Sequence, residues 1–237
     1  MENGVDVTDG QITLLRSFSN LLLEWNKKIN LVSRKDEKNF WVSHLLHSVS
    51  ILFKLRLPLG ASVLDLGTGG GLPGIPLKIM LSDISMTLVD STQKKIKVVE
   101  DILHSLSLPN TSAVWGRAEE LGRHKDHHAR YDVVVARAVA PLKDLVRWSK
   151  PLLKSTPRPG VERDEQSQGV MRVVPPALIA LKGGDLETEI RSARRIPGVE
   201  SIKVLDLTMT GSVQLEADDK KLVLVAYEQP ASNSRRN

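Results

Sequence analysis

A chain of 237 residues, 41% of them hydrophobic, is long enough for one α/β domain with an appendage and needs no second full domain. The absence of cysteine excludes disulfides, thiolate metal sites and cysteine nucleophiles, and no apolar run approaches the roughly 18 residues of a membrane span. With 33 Lys+Arg against 28 Asp+Glu the net charge is +5, a mild lean toward a polyanionic partner. The polar, acidic start Met1 to Gly10 indicates neither export nor membrane insertion, so a cytoplasmic location is expected.

Thr8 and Gln11 form a capping box, and Ile12, Leu15, Phe18, Leu22, Trp25 and Ile29 follow at spacings of three and four, predicting an amphipathic helix. A second helix is expected over Asn39 to Leu55, with Trp41, Leu45, Val49 and Leu52 as its apolar stripe and Pro58-Leu59-Gly60 as its stop. Together they make an N-terminal helical cap over residues 1–58. Strand and helix signals then alternate. Strands are expected at Ser62 to Leu66, Ile84 to Asp90, Ala113 to Trp115, Tyr131 to Ala136 and Ala177 to Lys182, separated by helices at Gly74 to Leu81, Lys94 to Leu106 and Pro141 to Leu153, with Leu186 to Arg195 a further helix. This alternation predicts a mostly parallel sheet. Ile202 to Thr208 and Lys221 to Glu228, joined by a polar turn containing Gly and Asp, add a C-terminal hairpin and bring the sheet to seven strands. Within the domain at 59–230, Ser155 to Pro175 is rich in Pro, Gly and charge and is expected to be a mobile surface loop. The polar stretch 231–237 is expected to be a disordered tail.

The stretch Val63 to Gly74 sets a carboxylate, Asp65, directly against a glycine loop. Gly67, Gly69, Gly70 and Gly71 permit a tight turn and close backbone approach to a ligand beyond the carboxyl end of a strand, where open α/β sheets bind ligands. Gly69, Gly71 and Gly74 match the G-x-G-x-x-G dinucleotide fingerprint, and Asp90 follows about 20 residues on. In that fingerprint the loop meets a pyrophosphate, and Asp65 would stand close to the anion. The sulfonium and ammonium of S-adenosylmethionine favour a nearby carboxylate instead.

Asp90, at the end of the second strand, suits the hydroxyls of an adenosine ribose or, alternatively, the cap of the next helix. Ala118 and Glu119 stand where an adenine edge would lie, although Glu119 also reads as a first-turn helix acid. Arg137 is the one long polar group in Ala136 to Pro141, which suits either a functional role or a structural ion pair. His44, His47 and Ser48 share one polar helix face, suited to a substrate cleft or to solvent. His124, His127 and His128 lack the spacing of a metal site and read as a solvated loop. The four tryptophans read as core, and Arg34, Lys35, Lys94, Lys95, Lys97, Arg191, Arg194 and Arg195 are scattered candidates for phosphate contact.

The whole series resembles the RsmG (GidB) family, bacterial methyltransferases that modify guanine N7 in 16S ribosomal RNA. The resemblance runs from about Leu14 to Tyr227 and rests on Trp25-Asn26-Lys27 with Asn30-Leu31, His44 with Ser48, Asp65 to Gly74, Leu88 to Ser91, Arg117 to Glu120, Ala136-Arg137-Ala138 and Ala180 to Gly183. It implies a Rossmann-like class I S-adenosylmethionine-dependent methyltransferase fold. Its implied cofactor contacts fall on Gly67, Leu72, Ala118, Glu119 and Arg137, beside the Asp65, Gly69, Gly71 and Asp90 read from the loop. Arg137, His44 and Ser48 are then the expected catalytic group. The implied partner is 16S ribosomal RNA or the small ribosomal subunit, met by a monomer without a metal or a membrane. Two features depart from the family: His47 stands where members often carry aspartate, and Ser155 to Pro175 is longer than usual. The chain also lacks the cysteine of pyrimidine C5 methylation and the Asn/Asp-Pro-Pro-aromatic motif of amine methylation. A nicotinamide-dependent oxidoreductase, a small-molecule methyltransferase and a ribosome-binding protein stay open as other readings.

Overall fold

The computed structural model describes residues 4–155, 170–208, 210 and 213–228. Helix α1 (Asp9–Asn26) begins at the expected capping box: Thr8 Oγ1 accepts from Gln11 N–H at 3.2 Å, and Gln11 Oε1 accepts from Thr8 N–H at 2.9 Å. Phe18 and Leu22 are fully buried as the helix packs on α5 (Gly74–Met80) and α6 (Gln93–Leu106). Asn26 closes the helix. Its Oδ1 accepts from Leu31 and Val32 N–H at 2.7 and 2.9 Å, while Nδ2 donates to Val32 O and Glu37 Oε1, so a buried amide is fully used.

The segment predicted as one helix over Asn39 to Leu55 is divided. After α2 (Arg34–Glu37) comes a π-helical stretch, Trp41–Leu46, then α3 (His47–Val49) and α4 (Ile51–Lys54). The wider π turn takes the chain out of α-helical phase, so a stripe read at 3.6 residues per turn fails there. Trp41, expected inside, is 46% exposed, whereas His47 and Ser48, expected on a polar face, are buried. Leu55, expected as the helix end, opens β1 (Leu55–Arg56), which pairs in parallel with β6 (Met171–Arg172). The end of the expected Ser155 to Pro175 loop is thus a strand. Its middle, 156–169, and the expected tail 231–237 lie outside the described residues.

The main sheet follows the predicted alternation. Its strands are β2 (Ser62–Leu66), β3 (Ser85–Asp90), β4 (Thr111–Trp115), β5 (Val133–Arg137), β7 (Ala177–Gly183), β8 (Val199–Asp206) and β9 (Lys220–Tyr227), in spatial order β4-β3-β2-β5-β7-β9-β8. Only β9 runs antiparallel, against both β7 and β8. The β8–β9 connection holds a short helix, Val213–Ala217, in place of the plain polar turn expected. The helix predicted at Pro141 to Leu153 is α-helical over Leu142–Ser149 and tightens to a 3₁₀ turn at Lys150–Leu152.

Central strands read as near-continuous apolar runs because both faces are covered. Val63, Val133, Val135 and Ile179 pack toward one layer, while Leu64, Leu66, Val134, Leu178 and Ala180 pack toward the other. From β2 the chain winds outward through β3 and β4, then returns to place β5 on the other side of β2. That reversal opens a crevice at the carboxyl ends of β2 and β5, where Asp65 and Arg137 lie.

Candidate active site

The loop after β2 is held by two carboxylates. Asp65 Oδ2 accepts from Thr68 Oγ1–H at 2.6 Å and from Gly74 N–H at 2.8 Å, drawing both ends of the glycine loop onto one buried oxygen. Asp90 Oδ2 accepts from Gly69 N–H at 3.0 Å and Oδ1 from Thr92 N–H at 2.8 Å, so it both pins the loop and orders the turn before α6. The ribose and capping readings of Asp90 are compatible, since an ionised carboxylate has about four acceptor positions. Gly67, Gly69 and Gly71 all take positive φ, the conformation that glycine tolerates without a steric penalty.

Asp65, expected to hold the cofactor, is engaged by the loop itself. It is fully buried and serves the loop through Oδ2, while Oδ1 is buried without a hydrogen-bond partner. Desolvation raises its pKa to about 6, against the lowering effects of Thr68, Gly74 and Arg137. This geometry bears directly on the dinucleotide fingerprint. Gly74 N–H opens α5, the helix start that would face a pyrophosphate, and the Asp65 carboxylate already holds it.

Beside the loop lies a cavity of about 300 Å³, at the lower end of the usual range for ligand pockets of roughly 300–1,000 Å³. Gly67, Asp90, Ala118, Glu119, Val139 and Trp148 are among the residues that line it. A Cβ on Gly67 would come within 2.5 Å of Val139, so the absent side chain keeps this wall closed and flat. Lys95 and Arg117 also border the cavity. The other loop residues turn elsewhere. Gly69 serves through its N–H, Gly71 faces Ile75, and Leu72 is 3% exposed in the core.

Arg137 closes β5, and the next residue, Ala138, lines the cavity with φ at 53°, a rarely populated region for alanine. Burial lowers the Arg137 pKa to about 10, and Asp65 and Asp36 oppose the shift. Within the field of the same guanidinium stand the π-helical segment's His44 and the following His47. Desolvation, then Arg137, lowers His44 to about 4 and His47 to about 3, so both imidazoles are neutral at pH 7. Both His44 ring nitrogens and His47 Nε2 are buried without hydrogen-bond partners, although His44 Nε2 lies 3.8 Å from Asp36 Oδ2. Lys220, at the start of β9, adds a second positive charge near both rings. Ser48 departs from the expected catalytic face: it is fully buried, and its Oγ–H donates to His44 O at 2.6 Å.

These titrations predict a signed pH dependence. Between pH 6 and 4.5 the unfolded chain carries two histidine protons that the folded chain lacks, while folded Asp65 carries one that the unfolded chain lacks. Unfolding therefore takes up a net proton, so stability rises with pH and is lost as the pH falls from 6 to 4.5, by about 1.4 kcal/mol per unit from these three groups. Urea unfolding at pH 6, 5 and 4.5 checks this. A His44→Gln/His47→Gln double variant is expected to flatten or invert the profile, and a slope like that of the wild type contradicts the assignment.

Trp148, on the helix Leu142–Ser149, and Lys220 join the site only through the fold. Trp148 stands among amphipathic helix positions that read as core, and Lys220 is brought near by strand pairing with β7 rather than by any local motif. Conversely, Trp115, read as core, is 60% exposed, with its Nε1–H donating to Ser91 O.

Residues 11–159 match the GidB family model, described as rRNA small subunit methyltransferase G. The ribosomal RNA small subunit methyltransferase G of Chlorobaculum tepidum is 42% identical over 192 residues, covering 81% of this chain and 77% of that protein. Its counterpart in Desulforamulus reducens is 42% identical over 149 residues, 63% of this chain and 62% of that protein. The chain thus spans less than two thirds of the length of that relative. Among solved structures, a predicted O-methyltransferase from Agrobacterium tumefaciens is similar with a TM-score of 0.55 at 12% identity, over 78% of this chain and 81% of that one, a likeness of fold alone. The family match covers more than half of the chain and includes His44, the glycine loop, Asp90, Glu119 and Arg137: the chain belongs to the GidB family, rRNA small subunit methyltransferase G.

Proposed function

We propose that the protein transfers the methyl group of S-adenosylmethionine to N7 of a guanine in 16S ribosomal RNA, acting as a cytoplasmic monomer. The family match over residues 11–159 carries this reading. When bound, S-adenosylmethionine supplies a methyl group on a cationic sulfur, which the in-plane lone pair of guanine N7 accepts without surrendering a proton.

The Gly67 wall, the free Asp90 lone pairs, Ala118 and Glu119 suit the adenosine part, and the orphaned Asp65 Oδ1 supplies negative charge behind the loop. No residue has to remove a proton, so the work of the chain is positioning and electrostatics. Arg137 orients the target base, with neutral His44 and His47 as hydrogen-bonding neighbours. Ser48 holds the turn that carries His44. Residues 1–58 act as a cap on the methyltransferase domain, consistent with Leu22 and Leu31 lying against Gly70 of the loop. The target guanine has to leave its stack to reach such a crevice, which favours a loop or splayed nucleotide.

Gly67→Ala is expected to weaken S-adenosylmethionine binding by tenfold or more, because the added Cβ meets Val139 and φ of +76° strains any side chain. Calorimetry with S-adenosylmethionine checks this, and NADH in the same cell tests the nicotinamide reading. Transfer of labelled methyl from S-adenosylmethionine to 16S rRNA, offered naked and in assembled subunits, tests the function itself. Label in N7-methylguanosine is expected. Cofactor binding without incorporation into either substrate contradicts the proposal, and light scattering at other than the single-chain mass contradicts the monomer.

A further inference from the structure

A second cavity lies at the opposite end of the sheet from the candidate active site. It occupies about 770 Å³ beside the amino ends of β2, β3, β4 and β5. Its charged lining is one-sided: Lys125, Arg130 and Lys154 contribute, together with His128, and among the described residues no carboxylate lines it. Lys154 is partly neutralised by buried Asp132 at 3.0 Å, but among the described residues Lys125 and Arg130 form no ion pair. Both are exposed. His128 is fixed by its Nδ1–H, which donates to Gly122 O at 2.9 Å, leaving Nε2 for another partner. Ser85 and Ser112 add hydroxyls at the strand starts.

From this geometry we infer that the cavity is a second RNA-binding site, one that takes backbone phosphates of a segment distinct from the one holding the target guanine. The inference rests on the RNA-directed function proposed above. Its chemistry is that of phosphate contact: cations and hydroxyls converge, while Tyr131 in the lining is only 4% exposed and offers no stacking platform. The intervening strands are five or six residues long, so the two openings are about 17–20 Å apart at roughly 3.3 Å per residue. One nucleotide does not reach both. A folded RNA that packs two segments against the sheet ends does, and recognition then depends on RNA architecture as well as on the target base.

The test uses the full chain with Lys125→Gln and Arg130→Gln together. Both side chains are exposed, and matching circular dichroism and thermal midpoint confirm that the fold is kept. Loss of about two phosphate contacts predicts that log affinity for 16S rRNA depends less steeply on log salt, by about 1.5 in slope, with roughly tenfold weaker binding at 0.15 M salt. KM for rRNA rises with kcat unchanged, and S-adenosylmethionine affinity is unaltered. A short RNA carrying only the target guanine and its neighbours binds both proteins equally. Unchanged affinity and salt slope on 16S rRNA, or an equal loss on the short RNA, overturns the second site while leaving methylation by the wild type intact. Failure of the wild type itself to bind rRNA overturns this inference and the proposed function together.

Discussion

Asp65→Ala is expected to lose S-adenosylmethionine binding by at least about a hundredfold while the chain still folds. The carboxylate is the one group that ties Thr68 and Gly74 together across the glycine loop, and its removal leaves two buried donors without an acceptor. Each orphaned donor costs about 1–3 kcal/mol. That penalty falls on the far end of the loop, because Asp90 and the main chain of Val89 hold Gly67 to Gly69, while Gly67, Gly69 and Gly71 contribute no side-chain packing. The core layers on either side of the sheet are untouched, and the summed loss of about 2–6 kcal/mol lies below most of the typical folding stability range of about 5–15 kcal/mol. Asp65→Asn separates shape from charge: it keeps the volume, and an intermediate affinity is expected. Titration calorimetry beside thermal unfolding decides the matter, and wild-type affinity in the alanine variant contradicts the role of Asp65.

Arg137→Ala is expected to lower kcat by about 10²–10³-fold, the scale seen when a preorganised donor is removed from a reacting centre. Cofactor affinity should change by less than about threefold, since Ala138 and Val139 line the cavity and Arg137 does not. Arg137→Lys should rescue poorly, because an ammonium lacks the planar fork of a guanidinium. A second readout distinguishes position from mere packing. Arg137 helps to hold both histidines neutral, so its loss raises the pKa values of His44 and His47, and the acid branch of the stability profile becomes shallower. An unaltered kcat, or rescue of a deletion strain by an inactive Arg137 variant, favours a ribosome-binding role over catalysis.

Local signals account for most of the sheet. Val133 to Ala136 is an apolar run, and Val63 to Leu66 and Met86 to Val89 are apolar except for Asp65 and Thr87; each forms a largely buried strand of the sheet. The glycine loop is equally legible as a ligand loop, but the internal bonds of its carboxylate are not. Sequence shows that Asp65 is next to the glycines; only folding shows that Thr68 and Gly74 return to it. The π-helical stretch at Trp41–Leu46 was illegible for a related reason. Its register depends on packing of Phe40 and Leu45 into the core, and one wider turn exchanges inside and outside for the residues that follow. Arg137, His47 and Lys220 come from three separate parts of the chain, and no spacing rule joins them.

Guanine N7 methylation in 16S rRNA is the central claim, and it leaves a chemical mark that can be mapped, since a reduced N7-methylguanine is lost from its ribose and the abasic site is cut selectively by an amine such as aniline. Small-subunit RNA from cells with and without this protein should differ at one such site, restored by the wild-type chain and not by Arg137→Ala. Identical cleavage patterns in all three RNAs contradict it.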